Sequence, residues 1–224
     1  LFAGCGAQEQ QEATPEPPVV EEPAEEASPE EIPFEMGTVE NGRYVNRWAD
    51  ISFLVPVGMT PLSSNEMLAR LEDAGKVMAG DDPETLQQVG AHVKEAYIPL
   101  FMLEEAKLKV LFVAEYTVEA DSPQEYLDKT LEQLSQGNTA LSFDQKGEVQ
   151  LGGQPYTRAV LAPAGSERTV EYYVRQTDEC FLVLSLGYGS GEESAVLVQQ
   201  FLSSVSYACP LLEDQAEGAS EAAQ

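Results

Sequence analysis

The residues able to do covalent or acid–base chemistry are few. The chain of 224 residues has one histidine, His92, and three cysteines, Cys5, Cys180 and Cys209. A Ser-His-Asp or Cys-His mechanism needs a histidine beside its nucleophile. His92 lies in a polar helical stretch with Gln88 and Glu95 as neighbours, so it reads as a surface residue. Gly187-Tyr188-Gly189-Ser190-Gly191 follows a strand pattern and opens a helix, as a phosphate loop would. It lacks the third-glycine spacing of a dinucleotide loop and the Lys of a P-loop. Glu192 and Glu193 would repel phosphate and instead suit the helix dipole. Tyr188 and Glu192 fill the two glycine places that a nucleophile elbow around Ser190 would need. The segment reads as a glycine turn with an acidic first helical turn. Asp81-Asp82 and Glu104-Glu105 lack the alternating oxygen ligands of a calcium loop and read as solvated turns. No catalytic residue, cofactor or metal site is expected. Tyr44, Trp48, Tyr97, Tyr172 and Tyr173 are the candidates for a ligand groove. The plainer reading of these five is that they are half-buried sheet aromatics.

The net charge of -27 comes from 39 acids and 12 bases. It excludes a nucleic-acid binder, which needs clustered Lys and Arg, and it excludes electrostatic docking on anionic lipid. The charge is unevenly placed. Residues 1–40 hold eleven Glu and no base, and residues 210–224 hold four acids and no base. Residues 41–209 carry all 12 bases and a net charge of only -12. The flanks are rich in Pro, Ala, Gln and Glu and poor in aromatics, so they are expected to stay disordered. Residues 6–38 read as an acidic linker and 209–224 as an acidic tail. The linker has a reach on the order of 30 Å as a flexible coil.

Leu1-Phe2-Ala3-Gly4-Cys5-Gly6 gives the linker a purpose. An apolar residue, then Ala-Gly-Cys, resembles the lipobox of bacterial lipoproteins, although the usual Leu three places before the Cys is Phe2 here. Residues 1–5 read as the remnant of a signal peptide with its cleavage site. The resemblance implies that Cys5 is acylated. Two acyl chains on a thioether-linked diacylglycerol make a stable anchor where one is marginal. The expected location is the extracytoplasmic face of a bacterial cell membrane.

The middle, residues 39–208, reads as one α+β domain. Arg43–Arg47 and Ile51–Val55 suggest a hairpin around Trp48-Ala49-Asp50. Ser64 or Asn65 can cap a helix to about Met78, with Met67, Leu71, Ala74 and Met78 on one face. Asp82-Pro83 starts a weaker helical stretch to about Glu95. Tyr97–Leu103 and Leu108–Val118 form the next hairpin, and Val110–Ala114 is apolar on both faces, as a covered central strand is. Ser122-Pro123 opens a helix to about Gln136. Strands follow at Thr139–Phe143, Glu148–Leu151, Tyr156–Leu161, Thr169–Arg175 and Cys180–Leu186. A last helix, about Glu192 to Val205, turns Leu197, Phe201, Leu202 and Val205 inward. Consecutive hairpins predict an antiparallel meander with helices layered on its faces.

Gly42-x-Tyr44-x-Asn46, then Ile51-Ser52-Phe53-x-x-Pro56-x-Gly58, then the closing turn, strand and helix resemble the PsbP-like (Mog/PsbP) group. The resemblance spans about Gly37 to Tyr207. It implies an α/β/α sandwich, and it brings no common chemistry, since the group ranges from a photosystem lumenal protein to bacterial envelope lipoproteins.

Cys180 begins the last strand, which leads away by ~23 Å at ~3.3 Å per residue. The last helix returns by ~21 Å, so Cys209 is expected near Cys180. Two readings stand: a disulfide, allowed outside the cytoplasm, or one thiol in the sheet and one in the tail. Together these features predict a membrane-anchored, non-enzymatic binding or accessory module. Its partners are the bilayer, through Cys5, and an envelope protein or small ligand. A structural subunit of an envelope complex, or a carboxylate-dependent enzyme, is the alternative.

Overall fold

Phe181 to Leu186 is apolar at almost every position, so no choice of face leaves it amphipathic. Such a strand is stable only with both faces covered. The computed structural model describes residues 32–79, 96–116, 119–135, 141–162 and 166–208. In it this run is the middle of strand β9 (Phe181–Gly189), flanked by β5 (Leu108–Glu115) and β8 (Arg168–Gln176). With β4 (Tyr97–Glu104), β6 (Phe143–Leu151) and β7 (Gln154–Leu161) they form one antiparallel sheet in the order β4-β5-β9-β8-β7-β6.

Leu182, Leu184 and Leu186 point to one face, which is closed by α3 (Glu192–Ser203) and by a second sheet of β1 (Thr38–Glu40), β2 (Arg43–Asn46) and β3 (Ile51–Leu54). Phe181 and Val183 point to the other, closed by α2 (Pro123–Ser135) through Tyr126 and Leu127. The fold is α+β, with helices on both faces of an antiparallel sheet. A further helix, α1 (Ser64–Ala79), packs on β4. Its cap is Ser63, one residue before the expected start: both Ser63 N and Oγ donate to the Glu66 carboxylate.

Aromatic rings join the two sheets to α3. Phe53 is fully buried, and its ring centroid lies 4.9 Å from those of Tyr44, Phe101 and Phe201. Tyr44 comes from β2, Phe101 from β4 and Phe201 from α3. A seam of hydrogen bonds completes the joint. Ser52 N donates to Ser206 O at 2.8 Å and Ser206 N returns to Ser52 O at 2.9 Å.

Several expectations change. The first hairpin belongs to its own small sheet and gains β1, so the meander covers only β6 to β9. The domain begins before residue 39. Phe34 lies edge-on to Trp48 at 4.9 Å, and Glu35 accepts hydrogen bonds from Asn46 Nδ2 and Arg47 N. Asp144 to Gly147, the gap between two expected strands, lies inside β6; apart from a bulge at Asp144, this polar, glycine-containing run keeps its pairing because at a sheet edge only one side needs a partner. β9 runs on through Gly187-Tyr188-Gly189, because β8 pairs with it as far as Gly189. Ala74 is exposed, and α3 buries Val198 together with Phe201. Residues 1–31, the Asp82–Glu95 stretch with His92, Gly137-Asn138, Cys209 and the tail lie outside the described residues. No helix among the described residues is long and apolar enough to cross a membrane.

Because Phe53 touches three elements, its truncation leaves a cavity that none of them can close alone. Phe53→Ala is expected to cost about 3–5 kcal/mol, read as a lower midpoint in urea unfolding followed by circular dichroism. A loss below ~1 kcal/mol would show that the two sheets and α3 are held together elsewhere.

Candidate functional site

On the face of the large sheet that carries the small one, the β2–β3 turn reaches β7 and β8 at one end, where Gln154 Nε2 donates to Asp50 and Arg175 to Ala49 O, and among the described residues α3 stands beside the rest. A groove of about 590 Å³ opens there. Its floor is Arg158 of β7, Glu171 and Tyr173 of β8 and Tyr188 of β9. Strand register brings these together: Arg158 is directly opposite Tyr173, and Glu171 is two residues from Tyr173, on the same face. Val198 and Gln199 of α3 form the wall.

Glu171 is 4% exposed, yet it carries a charge. Its Oε2 accepts from Arg158 Nε at 2.9 Å and from the Tyr173 hydroxyl at 2.6 Å, and its Oε1 accepts from the Tyr188 hydroxyl. Burial pushes its carboxyl pKa up, but those hydrogen bonds and the Arg158 charge outweigh burial and hold it below the ordinary value. Arg158 is held correspondingly more basic by the same bond, and its Nη1 reaches Gln145 at 3.2 Å. Burial and then the Glu171 contact push both tyrosine hydroxyls well above their ordinary range, so they stay protonated donors.

This arrangement is poor at proton transfer. A general base needs an available lone pair and a pKa near the working pH; here one carboxylate serves three donors, and they hold its pKa below the ordinary value. The groove suits recognition: the protonated hydroxyls and the guanidinium offer polar contacts, with Val149, Leu151 and Val198 supplying apolar surface.

The aromatic candidates do not line one groove. Tyr173 lies in it. Tyr172, its strand neighbour, points to the opposite face and packs against Phe143. Tyr97 is also on that face and hydrogen-bonds the buried Glu115, as Tyr126 does. Tyr44 is 2% exposed, with its hydroxyl 3.0 Å from Met36 O and 3.1 Å from Leu100 O. Trp48 packs beside Phe34. The alternation of a strand explains the split, since consecutive Tyr172 and Tyr173 must face apart. Cys180 is a buried thiol 3.4 Å from Thr177 Oγ1, and burial raises its pKa. Among the described residues no group of His, Cys, Asp and Glu could hold a metal. Glu104 is in an ion pair with Lys109 at 2.8 Å and with Arg70 at 2.9 Å.

Arg158, Glu171 and Tyr188 were not singled out by sequence. The signal was present for two of them: a charge in each of two successive apolar strands, each on an inward position. Tyr188 was hidden by glycines on both sides, which read as a turn.

A depressed carboxyl pKa stabilises the fold above the unfolded carboxyl's pKa, and that contribution is lost as pH falls through the folded value. The wild type should therefore lose stability below the ordinary carboxyl value of 4.5. Glu171→Gln should be less stable at pH 7 by on the order of 2 kcal/mol, less than a fully buried pair because the Arg158 side chain keeps 29% exposure. Its acid limb should be flatter in thermal melts across pH 2.5–7. Parallel limbs for the two proteins would remove Glu171 from the acid transition.

No protein-family model matches the chain, and no curated protein matches it. Among solved structures it is similar to the solution structure of cyanobacterial PsbP (CyanoP) from Synechocystis sp. PCC 6803, at 12% identity and a TM-score of 0.46, over 80% of this chain and 99% of that one.

Proposed function

We propose that this chain is a lipid-anchored, extracytoplasmic binding module that holds a ligand or an envelope partner at the Arg158–Glu171 groove without converting it. One observation carries the reading: the groove's single buried carboxylate is saturated by Arg158, Tyr173 and Tyr188. Such a cluster fixes the shape and polarity of a site but moves no proton. The anchor rests on Phe2-Ala3-Gly4-Cys5 and on the acidic run that follows it. A tether rich in Glu and Pro is repelled from an anionic surface, and it sets the domain away from the bilayer.

Two measurements on the full chain test the two halves separately. Cys5→Ala should move the protein from the membrane to the soluble fraction; an unchanged membrane fraction would overturn the anchor. A photo-crosslinking side chain at Gln199, on the groove wall, should give a defined adduct in cells. Arg158→Ala should abolish that adduct. A crosslinker at Glu132, exposed on α2 and on the far face, should give none. The same adduct from both positions, or one indifferent to Arg158→Ala, would overturn the groove as the binding site.

A further inference from the structure

The outer edge of β6 has no strand beside it among the described residues, and Asp144 to Glu148 are all exposed. A sheet edge displays a row of hydrogen-bonding groups, and proteins usually blunt it with charge. The charges here are arranged in an unusual way. Lys146-Gly147-Glu148 reads as its own complement when a second strand runs antiparallel through Gly147. Lys146 then faces Glu148 of the other strand, and Glu148 faces Lys146.

The backbone agrees with this register. Gly152 and Gly153, at φ +59° and +83°, make the two-residue turn that joins β6 to β7. Such a turn is closed by a hydrogen-bonded pair, which is Leu151 with Gln154. Pairs then alternate, so Val149 and Gly147 bond to β7 while Gln150, Glu148 and Lys146 do not. Pro155 stands opposite Gln150, where no N–H is required. The N–H and C=O groups of Lys146 and Glu148 therefore point outward, at the two positions the symmetric register needs. Gly147 falls on the twofold axis, and a Cβ built there meets nothing within 4 Å. Lys146 and Glu148 lie on one face, the face on which Lys146 already reaches Asp128 of α2.

We infer that two copies of this chain join edge to edge through β6, antiparallel about Gly147, into a continuous twelve-stranded sheet. Each junction has reciprocal Lys146–Glu148 pairs and main-chain bonds from both residues. The twofold axis is perpendicular to the sheet, so both grooves face the same side. A single strand pair is a small interface, which puts the pairing in the weak class, with a dissociation constant on the order of 100 µM.

The test uses the full chain carrying Cys5→Ala and Cys209→Ala, so that neither anchor nor second thiol interferes. Sedimentation velocity from 10 µM to 1 mM should show a monomer–dimer equilibrium. Lys146→Glu alone places like charges opposite each other, as does Glu148→Lys alone, and each should weaken the dimer at least about tenfold. An equimolar mixture of the two variants restores opposite charges at every position and should dimerise again, which a folding defect could not produce. Gly147→Cys adds a register test: a non-hydrogen-bonded pair has Cα atoms ~4.5 Å apart, within disulfide reach. Mild oxidation should link it into a dimer, with far less product from Cys introduced at exposed Glu132. A protein that stays monomeric to 1 mM, or a dimer equally strong in both single variants, would overturn the proposal.

Discussion

The structure depends on one aromatic joint. Phe53 is a residue of a four-residue strand in a three-stranded sheet, and a sheet that small has too little core of its own to be stable. It becomes stable because Phe53 enters the space between the large sheet and α3, against Tyr44, Phe101 and Phe201. These residues are far apart in sequence, so their contact also fixes how the first and last parts of the domain meet. Apolar burial supplies most of the stabilisation, and ring geometry adds roughly 0.5–1.5 kcal/mol per pair. The polar groups nearby serve placement. Asn46 donates to the Tyr44 hydroxyl and accepts from Ala49 N, so it holds both the ring and the turn before β3.

The same layer also explains why the groove lies where it does. The small sheet packs on Phe101 and Leu100 of β4, and its β2–β3 turn meets β7 and β8 at the Gln154–Arg175 end. Helix α3 packs over β9 and β5. Beyond that end the floor over β7 and β8 has α3 beside it among the described residues. Apolar residues at Arg158, Glu171 and Tyr188 would leave an exposed greasy trough. Charged residues there would fail for a different reason if they were unpaired, because a buried carboxylate loses most of its hydration. The chain meets both conditions with one carboxylate and three donors. Tyr173 and Tyr188 keep apolar ring surface against the core while their hydroxyls reach Glu171.

Much of this was legible in the sequence. Val110–Ala114 marked a covered central strand through its two-faced apolarity, and Cys180–Leu186 read as a strand. Ser122-Pro123 marked the start of α2, and Ser122 Oγ does accept from Glu125 N. What misled was local signal overridden by pairing. Gly187 and Gly189 look like punctuation, yet Val170 and Arg168 hold them in the ladder. Asp144 to Gly147 look like a break for the same reason, while β7 pairs with Gln145, Lys146 and Gly147 past a bulge at Asp144. The groove was missed because its members come from three strands, and only strand register places Arg158 against Tyr173. The number of sheets was missed because a hairpin signal says nothing about which other strands it will join.

The partition of charge bears on how such a domain meets others. The folded part, residues 32–208, holds 26 acids and 12 bases, and its net charge of -14 would repel its own copies if the charge were uniform. Its surface is mixed, however, and beyond about 8 Å at physiological salt the mean charge is screened. Short-range pairing then depends on which residues face each other. On β6, Lys146 and Glu148 alternate in sign around a glycine, so charges that would blunt the edge against most strands match one sequence, its own. The thirteen acids in the flanks follow a different rule. They act by repulsion and hydration over a length of chain, and their order matters little. The charge total thus mixes two kinds of information: a bulk property of the flanks, and a pattern of three residues on one strand.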